Sequence, residues 1–240
     1  MKKSKHIRDL IYVSGEHEKN YFCSYGIEFH EFMNCVHHRP ENLILLKHDF
    51  HNVQTNRHSR LHYVLQQGLD ELIEENVYHY GDFCWVDFSK EEDLNALSNN
   101  QIAELLFFGH MGEPLHHLPK LRFAYFAHDD GWFNKLYVSD LYDYEVLLAK
   151  VITFKLHKLA GRKVQDIPKD ISSLLLEWTR DGLLIDLSKI QKSKAELRIP
   201  VTFIGHDIDM DSVYDFRKEI RDYKVWLVYS KKVWKLIKGD

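Results

Sequence analysis

Proline and cysteine are scarce in this sequence, and no apolar run is long. Five prolines in 240 residues leave no Pro-rich linker, and neither repeats nor low-complexity tracts interrupt the chain. The three cysteines, Cys23, Cys35 and Cys84, form no CxxC and fit a reducing compartment better than a disulfide framework. No window approaches the ~18 continuous apolar residues of a spanning helix. The run from Ile7 to Ser14 is too short and too interrupted for a secretory signal core. These absences predict a cytoplasmic chain with no membrane contact.

Positive charge is also lacking. A net charge of -4 gives no global field that would recruit nucleic acid. The charge is uneven, however: residues 161–240 carry 16 basic and 13 acidic residues, the rest 16 and 23. No phosphate-binding loop of the P-loop type is present, nor a GxGxxG fingerprint, nor a GxSxG nucleophile elbow.

What remains is the composition of a folded protein, 45% apolar and 28% charged, with 13% aromatic residues to fill a core. Phe29, Phe32, Met33 and Val36 recur at helical spacing and predict a helix over 27–38, stopped before Pro40. Leu43 to Leu46 reads as a buried strand. Helical spacing returns at Val64, Leu65, Leu69 and Leu72. Residues 77–88 read as a central strand, with Phe83 and Trp85 to one side and Cys84, Val86 and Phe88 to the other. Ser89 with Glu92, and Ser98 with Gln101, have the spacing of capping boxes. Gly109, Gly112, Pro114 and Pro119 mark a loop.

A hairpin follows, 121–127 against 132–138, joined through His128-Asp129-Asp130-Gly131. A long helix over about 139–159 ends at Gly161 as its C-cap. Beyond it the pattern gives a helix over 170–181, strands at 183–187 and 197–204, a helix over 210–222, and a closing hairpin of 225–229 with 233–237. Strands and helices mixed in this way predict an α+β fold with a mixed or antiparallel sheet and flanking helices. Two parts are expected: a main domain over 1–160 and a smaller C-terminal α/β segment over 161–240.

Histidine is the compositional oddity, 16 residues, of which seven lie between His30 and His62. His30-Glu31-Phe32-Met33-Asn34 falls one imidazole short of the HExxH zinc motif. His58 and His62 have the i, i+4 spacing that shares a helical face. Three clusters join histidine to carboxylates after apolar strands: His48-Asp49, His128-Asp129-Asp130, and His206-Asp207 with Asp209. Carboxylate oxygens with a nearby imidazole suit Mn, Fe or Zn, so His48, Asp49, His128, Asp129 and Asp130 are the candidate metal ligands of a metal-dependent hydrolase. Asp186 followed by Glu196 and Arg198 has a rough nuclease layout, but arginine cannot act as the base.

The terminal hairpin interleaves lysines with Trp226, Tyr229 and Trp234, a composition that could hold single-stranded nucleic acid or could simply protect a sheet edge. With no catalytic signature and many interface-type rings, the leading expectation is a bacterial-type interaction module without catalytic activity, bound to a protein partner or to itself. On this reading it carries no cofactor. The metal-dependent hydrolase and the nucleic-acid binder are the alternatives.

Overall fold

A computed structural model describes residues 9–75, 82–112, 121–128, 133–161, 163–206, 213 and 223–239. Strands are β1 (Leu10–Glu16), β2 (Tyr21–Tyr25), β3 (Asn42–Lys47), β4 (Gln54–Thr55), β5 (His62–Val64), β6 (Phe83–Phe88), β7 (Phe123–His128), β8 (Phe133–Val138), β9 (Leu183–Asp186), β10 (Gln191–Lys192), β11 (Glu196–Phe203), β12 (Val225–Ser230) and β13 (Val233–Lys238). Helices are α1 (Phe29–Cys35), α2 (Leu69–Glu74), α3 (Glu91–Asn95), α4 (Asn99–Met111), α5 (Leu141–Ala160) and α6 (Lys169–Trp178).

Every strand pairs antiparallel in one open sheet, in the order β13-β12-β11-β9-β1-β2-β8-β7-β6-β3-β5-β4, with β10 alongside β11. The fold is α+β. The sheet runs across the 160/161 position unbroken, because β9 pairs with β1 on one side and β11 on the other.

Alternation along each strand sends side chains to two faces. Phe83, Trp85, Phe123 and Tyr125 enter a large core beneath α1, α2, α5 and α6. Cys84, Val86 and Phe88 enter a second core, covered by Leu94 of α3 and by Leu105 and Phe108 of α4. The division expected of β6 therefore holds. Near β1, the second face carries a smaller cluster of Leu10, Tyr12, Tyr25, Leu184 and Val213.

Caps explain most element ends. Ser98 Oγ accepts from Gln101 N–H, and Gln101 Oε1 accepts from Ser98 N–H at 2.9 Å, the reciprocal box expected at α4. Gly161 ends α5 at φ 64°, the left-handed C-cap. At α3 the cap shifts by one residue: Asp93 accepts from Lys90 N–H at 3.1 Å, so Ser89 stays outside.

Other expectations need correction. The first helix spans only Phe29–Cys35, since Val36 already has an extended ψ of 140°. Val64 ends β5, and helix begins only at Leu69, after a 3-10 turn. Gly109 belongs to α4 and not to a loop. A Cβ there would lie 2.8 Å from Leu46 Cβ, so glycine lets the helix approach β3 closely. The strand proposed over 77–88 is described from Phe83 on, and the helix proposed over 210–222 lies outside the described residues but for Val213. The closing hairpin is joined by Lys231 and Lys232, both at positive φ (52° and 65°), where two-residue turns favour Asn-Gly.

Candidate functional site

A bulge between Leu45 and Lys47 breaks the β3 register against β6, and the chain then leaves the sheet as Lys47-His48-Asp49. Lys47 Nζ pairs with Asp82 at 2.6 Å and sits 5.5 Å from the Phe126 ring centroid. His48 Nε2 lies 2.9 Å from His62 Nδ1, and His48 Nδ1 lies 3.2 Å from the Phe50 carbonyl. A carbonyl only accepts, so Nδ1 of neutral His48 carries the proton and Nε2 accepts from His62 Nδ1–H. Burial, then the neighbouring His62, lowers the His48 pKa from 6.5. Lys47, His48, Asp49, His62 and Asp82 line an open groove of about 450 Å³.

The tautomer decides what this pair can do. With a proton held between the rings, His48 has no lone pair left for an ion, and the pair offers only His62 Nε2. Among the described residues, no three His, Cys, Asp or Glu side chains gather to hold a metal. Asp129, Asp130 and the His128 side chain lie outside the described residues. The His128 backbone pairs with Phe133 at the end of β7, which β6 separates from β3. At the usual spacing of neighbouring strands, that places the two cluster backbones roughly 10 Å apart.

His206 takes a different partner. Its Nδ1 lies 2.6 Å from Ser14 Oγ on β1, a contact across 192 residues that no sequence spacing announced. β1 stands three strands from β7, roughly 14 Å away. Ser14 heads a cross-strand row in which Cys23 and then Lys135 follow in register. The His-Asp segments are thus strung along the sheet. Asp207 and Asp209 lie outside the described residues.

The remaining sequence candidates have structural employment. Glu31 pairs with Lys155 at 2.7 Å, both almost fully buried, and also accepts from Glu28 N–H at 3.0 Å. The HExxH-like segment is therefore a helix cap and a buried ion pair. His58 lies in a turn and His62 in a strand, so they share no helical face. Asp186 accepts from Ser188 N–H and Oγ–H, while Arg198 pairs with Glu196 at 2.7 Å. Burial, and then Glu31, raise the Cys35 thiol to about 12, and burial raises Cys84 well above its ordinary value. Both are poor nucleophiles. In the terminal hairpin, Tyr229 and Trp234 are buried, and Trp234 Nε1–H donates to the Gln165 carbonyl at 2.8 Å.

The feature that sequence reasoning missed is on α4. Leu105 and Phe108 face the core, but Leu106, Phe107 and Met111 face outward, 54%, 58% and 47% exposed. With Ala103 and His110, also exposed, they form a stripe at i, i+3, i+4, i+7 and i+8. Beside the start of α4, Leu94, Leu97 and Leu105 line a cavity of about 160 Å³. Among the described residues no helix is long and apolar enough to cross a membrane. Compared with family models, curated proteins and solved structures, the chain matches none.

Proposed function

We propose that this chain is a protein-binding module that receives an apolar helix of its partner against the outer face of α4. One observation carries the reading: Leu106, Phe107 and Met111 stand exposed in one helical stripe, with the polar Asn99 and Asn100 at its N-terminal end and Glu104 beside it. Large apolar side chains gathered in water mark contact surfaces, and an i, i+3, i+4, i+7 arrangement matches helix-to-helix docking.

Magnitudes set the size of the contact. Fully burying such a side chain is worth about 1.5–3 kcal/mol, and each is already about half buried, so the three contribute roughly 3 kcal/mol. Association costs at least ~4 kcal/mol. The partner must therefore also make contacts beyond the stripe.

A photo-crosslinking residue in place of Leu106 identifies the partner, and calorimetry on the purified pair then tests the contact. Phe107→Ser is expected to weaken binding by ~10-fold or more, while Val233→Ser leaves it unchanged. No specific crosslink, an affinity indifferent to Phe107→Ser, or substrate turnover by the purified chain alone would sink the reading.

A further inference from the structure

We infer that the β13 edge is a second contact surface, independent of α4, which accepts an acidic extended segment by strand addition. Among the described residues β13 ends the sheet, paired only with β12. Its register fixes which backbone groups face out. Gly239 N–H donates to the Lys224 carbonyl at 2.9 Å, and the pairs alternate from there toward the turn. The hydrogen-bonded members are then 233, 235, 237 and 239, leaving the N–H and C=O of Trp234, Leu236 and Lys238 pointed away from the sheet.

Side chains along this edge define the occupant. Trp234 and Leu236 turn to the large core, so Val233, Lys235 and Ile237 share the opposite face. Val233 and Ile237 are 52% and 39% exposed, with Lys235 exposed between them. Lys231, Lys232 and Lys238 add to the positive charge, and none of these four lysines makes an ion pair among the described residues. The whole chain is acidic, at net -4, so this edge is a local exception.

A second copy is a poor occupant, because self-pairing sets lysine against lysine. Single-stranded nucleic acid needs open rings, whereas Tyr229 and Trp234 are buried and Trp226 packs on Tyr223. A strand bearing apolar, acidic and apolar residues at alternate positions matches Val233, Lys235 and Ile237 and takes its main-chain bonds from the outward groups.

The test is fluorescence anisotropy with a short labelled peptide, valine, glutamate and valine alternating with threonine. Binding is expected at low salt and to weaken ~10-fold or more at high salt. Lys235→Glu should abolish it and bind instead the peptide with lysine in place of glutamate. Lys238→Pro removes an outward N–H without touching the hairpin's own bonds, and should lose the peptide while circular dichroism stays unchanged. No binding, binding that survives Lys235→Glu, an equal affinity for labelled oligothymidine, or a dimer dispersed by Lys238→Pro would each overturn the inference.

Discussion

Glu31 and Lys155 show how one contact can change the meaning of a motif. In the sequence, Glu31 follows a histidine and resembles a metalloenzyme base. In the fold it neutralises a lysine projecting from α5 into the core, at 2.7 Å. A buried pair of this kind need not stabilise relative to apolar residues, but removing one member strands the other charge. Lys155→Met is expected to destabilise the chain by about 3–5 kcal/mol in denaturant titration. Glu31→Gln with Lys155→Met together should recover most of that loss, since the glutamine oxygen can still accept from Glu28 N–H. If the double variant were no better than the single, the cost would lie in packing and not in charge. Residue roles were legible where a short range settles them: the alternation that sets Cys84 with Val86 and Phe88 on one face holds, and burial there raises the thiol's pKa. Ser14 with His206, and His48 with His62, were not, because each pair is brought together by strand positions that sequence spacing does not encode.

At the scale of elements, local chemistry fixes ends better than it fixes faces. The Ser98–Gln101 box, Gly161 and the Cys84 alternation each depend on a few consecutive residues, and each holds. The outward stripe of α4 depends on what covers the helix. In its second half, from Leu105 to Met111, apolar residues occur almost all round, so periodicity alone cannot choose the inner side. The terminal hairpin adds a case of an unfavourable local choice overridden by pairing. Lys231 and Lys232 occupy the left-handed region, at about 1 kcal/mol or more each for side-chain-bearing residues. Replacing them with Asn-Gly is expected to raise stability by about 1–2 kcal/mol, measured as a shift in the urea midpoint at constant slope. An unchanged midpoint would mean that the lysines hold their turn without strain.

At the scale of the whole molecule, β1 is the keystone. It pairs with β2 on one side and with β9, some 170 residues later, on the other, joining both ends of the chain in one sheet. A continuous sheet over a shared core is expected to unfold in one cooperative step, with calorimetric and van't Hoff enthalpies in agreement. Two separate transitions would instead mark a boundary near residue 161. The composition, the scarcity of proline and cysteine, and the alternation of local patterns were enough to determine an α+β chain, most of its helices and the two hairpins β7–β8 and β12–β13, but not the β1–β2 pair, because those signals act over a few residues. The placing of β1 and β2 at the centre, of β13 at an edge, and of Leu106 and Phe107 in water was decided only by the tertiary structure. Burial and strand order are properties of partners distant in sequence, and no local pattern specifies which partner arrives.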